Sequence, residues 1–118
     1  MAVNIPDVRA ATPWYVQNLG MQIVRANEQD PYEHFLADEN GNMLEFYSRT
    51  DVDQPDYSFM DPANLHLAFK VDDIEATHAA LIAAGATAVG PINTTSVGDK
   101  LAFLRDPWNV PVQLVFRA

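Results

Sequence analysis

The sequence predicts an α+β fold: two βαβββ modules that form a curved mixed sheet around a cleft. Three observations predict it. First, residues 34–47, HFLADENGNMLEFY, align without a gap with residues 102–115, AFLRDPWNVPVQLV, 68 positions later. Phe35 meets Phe103, Leu36 meets Leu104, Asp38 meets Asp106 and Glu45 meets Gln113. Second, residues 1–12, MAVNIPDVRAAT, align with residues 67–78, LAFKVDDIEATH, at an offset of 66. Third, the short apolar segments alternate with period two, as half-buried strands do. An internal repeat of this kind fixes the architecture before any single element is assigned.

The elements follow in order. A short strand near 2–5 leads to Asp7, whose carboxylate can accept a backbone N–H from the first turn of a helix near 8–19. Gly20 stands where that helix should stop. Strands near 21–26, 31–37 and 43–48 complete module one, residues 1–48. Residues 49–64 are rich in Asp and Pro and read as a linker. Module two, residues 65–118, repeats the plan. A strand near 65–71 precedes Asp73, a helix near 74–84 stops at Gly85, and strands follow near 87–91, 99–105 and 111–117. Each module is under 60 residues, marginal for folding alone, so the two should share a core within one domain or across a dimer.

Composition excludes several functions. Seven Lys and Arg against 16 Asp and Glu give a formal net charge of −9, which disfavours nucleic acid and acidic membrane surfaces. With no cysteine, disulfides, thiolate metal sites and cysteine nucleophiles are excluded. No apolar run approaches the ~20 residues that span a bilayer. The first residues lack a secretory pattern, so a cytoplasmic location is expected.

Alternation assigns the faces. In LHLAFKV, Leu65, Leu67, Phe69 and Val71 point one way, and His66, Ala68 and Lys70 the other. In MLEFY, Glu45 and Tyr47 oppose Leu44 and Phe46, and in PVQLVF, Gln113 opposes Val112 and Leu114. The apolar set should pack on the helices, leaving Glu45, His66 and Gln113 on the concave side. A carboxylate pointing into a cavity must be paired, metal-bound or solvated. A strand histidine or an amide can equally line a wet cavity with no metal at all. His34 and Tyr47 could line the pocket, and Trp108, in a turn between strands, could gate it.

This layout resembles the vicinal oxygen chelate superfamily, the glyoxalase/bleomycin resistance/dioxygenase group. IPDVRAATPWYVQNLGM at 5–21 resembles its opening helix. LHLAFKVDDIEATHAALIAAGA at 65–86 resembles the start of its second module, and DPWNVPVQLVFRA at 106–118 its closing turn and strand. The resemblance implies metal donors on the first and last strands of each module, here Glu45, His66 and Gln113. The fourth family position lies seven residues before Asp7 and so precedes Met1. Gln113 stands where glyoxalase-like members carry a glutamate. An amide can ligate but cannot accept a proton, which leaves Glu45 as the implied base.

Two functions from different classes follow from the resemblance. One is a small enzyme of lyase or isomerase type, using Zn, Ni, Mn or Fe as a Lewis acid on vicinal substrate oxygens. The other is a metal-free binding protein of bleomycin resistance type, sequestering a cationic small molecule. A homodimer is expected in either case, because curved four-stranded sheets leave edges and an apolar face to cover.

Overall fold

The computed structural model describes residues 1–118. The chain divides into two compact units, Met1–Pro55 and Asp56–Ala118.

Unit one contains β1 (Ala2–Asn4), α1 (Val8–Leu19), β2 (Gln22–Ala26), β3 (His34–Ala37) and β4 (Met43–Tyr47). Unit two contains a 3-10 turn (Tyr57–Phe59), β5 (Leu67–Lys70), α2 (Ile74–Ala83), β6 (Thr87–Thr94), β7 (Lys100–Arg105) and β8 (Pro111–Phe116). The strand orders are β1-β4-β3-β2 and β5-β8-β7-β6, the same topology twice. Each outer pair, β1 with β4 and β5 with β8, is parallel, and the others are antiparallel. Two four-stranded mixed sheets, each with one helix, make the α+β fold that the repeat predicts. No helix is long and apolar enough to cross a membrane.

The helix signals act as the sequence suggests. Asp7 accepts from the Ala10 N–H at 3.1 Å, and Asp73 from the Ala76 N–H at 3.0 Å. At the end of α2, Gly85 has φ +106, where a side chain would be strained. Its N–H reaches the Ile82 carbonyl at 3.1 Å, and the Ala86 N–H reaches Leu81 at 2.9 Å, so both orphan carbonyls are satisfied.

Each sheet buries one face against its helix. In unit one, Leu36 opposes Leu44 and His34 opposes Phe46, so all four point to α1. Tyr15 of α1 lies over Phe46 with ring centroids 5.1 Å apart. In unit two, Leu104 opposes Val112 and Ala102 opposes Leu114, all buried with Ile74 and Leu81 of α2.

Some boundaries differ from expectation. The strand expected over 31–37 begins only at His34. Pro31 follows a cis peptide bond, and Tyr32 has φ 57 and closes a turn onto the Gln29 carbonyl. The strand expected to end near 91 runs on to Thr94, through a register irregularity between Val89 and Asn93. Part of the segment expected as linker is anchored rather than free. Tyr57 is buried, and Arg105 donates to the carbonyls of Tyr57 and Met60, each at 2.8 Å.

Candidate functional site

In unit one, Glu45 lies at the middle of β4, with Ala2 of β1 and Phe35 of β3 as its register partners. Alternation turns it and Tyr47 to the face opposite Leu44 and Phe46. Its backbone N–H is held by the Met1 carbonyl at 2.8 Å. Its half-buried carboxylate has no hydrogen bond or ion pair. Such a group is available to a ligand.

In unit two, Gln113 is flanked by Ala68 and Phe103, its register partners on β5 and β7. His66 precedes Ala68 by two residues and shares its face. The imidazole lies edge-on to the Phe103 ring, with centroids 5.1 Å apart. The structure thus brings His66 and Gln113 onto one side of sheet two, and Glu45 and Tyr47 onto one side of sheet one.

The His66 contacts define its chemistry. Nδ1 lies 2.7 Å from the Pro62 carbonyl. A carbonyl oxygen only accepts, so Nδ1 donates, and the neutral ring in this tautomer carries its lone pair on Nε2. Metal-binding histidines are commonly oriented in this way by a carbonyl on the other nitrogen. Taken singly, the three side chains suit a divalent ion: a neutral imidazole nitrogen, a free carboxylate and an amide oxygen. No group of three His, Cys, Asp or Glu side chains capable of holding a metal occurs. One reason is chemical, because the third donor is an amide.

His34 sits elsewhere. It is 4% exposed and on the α1 side of β3, where Nδ1 and the Thr12 hydroxyl are 2.7 Å apart. It therefore does not share a face with Glu45, as lining the pocket together would require. The repeat carries the signal for this, because His34 aligns with Ala102, another buried residue.

Trp108 is half-buried in the β7–β8 turn. The turn is organised by Asp106, 2% exposed, which accepts the backbone N–H groups of Trp108 and Val110, each at 2.9 Å. Asn109 has φ 70, a conformation that Asn tolerates better than most residues. The aligned turn in unit one has Asp38 accepting from Asn40 and Asn42, with Gly41 at φ 82. The repeat thus extends to the one left-handed residue in each turn. The Asn42 side chain, then its backbone N–H, holds the Asp38 carboxyl below its ordinary range.

A further group was not visible in the sequence. Arg25, Asn27, Glu33 and Phe35 line an open groove on the β2–β3 side of unit one. A register shift between Ile23 and Arg25 brings Arg25 opposite Phe35. Strand parity alone does not foresee a bulge.

Comparison with known proteins agrees with this architecture. A family model described as Glyoxalase/Bleomycin resistance protein/Dioxygenase superfamily matches residues 1–114. A probable lactoylglutathione lyase of Vibrio parahaemolyticus is 29% identical, over 96% of this chain and 85% of its own. A glyoxalase family protein of Enterococcus faecalis is similar in structure with a TM-score of 0.71 and 29% identity, covering 98% of this chain and 93% of that one. One from Bacillus cereus superposes with a TM-score of 0.84 at 14% identity, covering 98% and 90%, a likeness of fold alone. With the duplicated topology and a family match across nearly its whole length, the chain belongs to the glyoxalase/bleomycin resistance protein/dioxygenase superfamily.

Proposed function

We propose that the protein is a glyoxalase-like enzyme of lyase or isomerase type that acts on a small molecule with a divalent metal. The observation that carries this reading is the His66 imidazole, oriented by the Pro62 carbonyl through Nδ1, so that Nε2 is the ring nitrogen left to a ligand. The unpartnered Glu45 carboxylate, at the repeat position equivalent to Gln113, supports it. So does the similarity to the probable lactoylglutathione lyase.

In this reading Glu45, His66 and Gln113 are the donors. A bound divalent metal supplies Lewis acidity toward adjacent substrate oxygens. Glu45 is the residue that takes and returns a proton at its carboxylate, because Gln113 cannot. Tyr47 and Trp108 contact the substrate, and His34 acts from behind the sheet by holding β3 to α1. The protein works as a homodimer, in which a second copy covers apolar side chains such as Ile23 and Val24, 53% and 60% exposed on β2. A molar mass near that of one chain in light scattering would count against the dimer.

The test is metal content after incubation with Ni, Zn, Mn and Fe, in wild type, Glu45→Ala and His66→Ala. About one metal per chain, lost in both variants, is expected from a three-donor site. No bound metal overturns the enzyme reading. The remaining function is then a binding module, for which the net charge of −9 favours a cationic ligand.

A further inference from the structure

We propose that the groove between β2 and β3 is a binding site for the zwitterion of an α-amino acid with an aromatic side chain. The argument begins with the cations. The chain has seven Lys and Arg side chains. Arg49, Lys100 and Arg117 pair with Asp51, Glu75 and Asp99. Arg105 serves the Tyr57 and Met60 carbonyls, and Arg9 lies over the Tyr32 ring at 4.6 Å. Arg25 and Lys70 have no such partner. Arg25 stays unpaired in a chain with 16 carboxylates, although one of them, Glu33, lines the same groove.

The other lining groups are equally available. Glu33 forms no ion pair or side-chain hydrogen bond. The side-chain oxygen of Asn27 accepts from the Gln29 N–H at 3.1 Å, which leaves the amide N–H groups of Asn27 free to donate. The groove therefore presents two donors for a carboxylate, Arg25 and Asn27, and one acceptor for an ammonium, Glu33. Guanidinium and carboxylate match as a bidentate pair. Phe35, half-buried, is the register partner of Arg25, two residues along the chain from Glu33, and offers a ring to an aromatic side chain.

Size restricts the ligand further. The groove encloses about 210 Å³, below the ~300–1,000 Å³ of sites for drug-sized molecules. An amino acid fits that scale. A purely anionic ligand would meet Glu33, and a purely cationic one Arg25. Phe35 is also the register partner of Glu45, so the groove lies on the Glu45 side of the sheet. The inference nevertheless needs no metal and stands apart from the proposed reaction.

The experiment is calorimetric titration of chelator-treated protein with L-phenylalanine, 3-phenylpropionate and phenethylamine. Phenylalanine should bind at least about tenfold more tightly than either analogue, since each lacks one charged contact. In Arg25→Gln, phenylalanine should fall to the level of phenethylamine. In Glu33→Gln, it should fall to the level of 3-phenylpropionate. Both substitutions are on the surface of the unit and leave its core intact. No binding of phenylalanine overturns the proposal. So does equal binding of the three probes, or a preference that survives both substitutions. Because the protein is metal-free throughout, failure here leaves the metal measurement to stand or fall separately.

Discussion

Phe46 links the core of unit one to the strand that carries Glu45, and the repeat says what it can become. It is 0% exposed, and its ring packs on Tyr15 at 5.1 Å. Its counterpart in unit two is Leu114, also 0% exposed. Phe46→Ala removes a whole buried ring and should cost about 3–5 kcal/mol. Phe46→Leu keeps most of the volume. It should cost about 1–3 kcal/mol, from imperfect fit and the lost aromatic pair with Tyr15. Against a typical total of about 5–15 kcal/mol, the alanine variant should come close to unfolding. At roughly 4 °C per kcal/mol for a chain of this size, the midpoint should drop about 12–20 °C for Ala and 4–12 °C for Leu. Urea unfolding followed by tryptophan fluorescence reads the loss, because Trp14 lies in α1 beside Tyr15, with ring centroids 5.0 Å apart. The slope with denaturant should be unchanged. A cost below about 1 kcal/mol for Phe46→Ala would refute the packing argument. An equal cost for Leu and Ala would refute the equivalence drawn from the repeat.

Two other outcomes are expected. Asn109→Gly should be neutral or slightly stabilising, and Asn109→Val should cost about 1–2 kcal/mol, because φ is 70 there; equal unfolding midpoints for the two would contradict this. The Ala118 N–H, then the Arg117 guanidinium, holds the Asp99 carboxyl below its ordinary range. The stability it contributes is therefore complete above the ordinary carboxylate value and is lost as pH falls through the lower folded-state value. Asp99→Asn should flatten that acid limb of the midpoint-against-pH curve, and an unchanged limb would dismiss the contribution.

Much of the fold was legible because it is written twice. The Asp7 and Asp73 caps, the glycine stops and the alternating strands recur at nearly constant offsets, so a signal too weak in one half is supported by the other. Legibility failed where the halves diverge. The turn at Asp30–Tyr32 has no counterpart, and β3 starts later than its apolar pattern suggests. Among site residues, the faces of Glu45, Tyr47, His66 and Gln113 followed from period-two alternation. The face of His34 was readable in the same way, since it shares parity with Leu36 and aligns with Ala102. The contact of His66 with Pro62 was not readable, because it depends on how a loop returns to the strand. Arg25 was hidden by a bulge, the one device that breaks strand parity.

The Pro62 carbonyl comes from only four residues before the imidazole it holds. The chain that delivers His66 to its strand thus also locks the ring. Immobilising a side chain at the moment of binding costs about 0.5–1.5 kcal/mol. Here that disorder is removed while the protein folds, before any ligand arrives. A ligand that bound at Nε2 would meet a ring already turned, and its affinity would be higher by roughly two- to tenfold for that preparation.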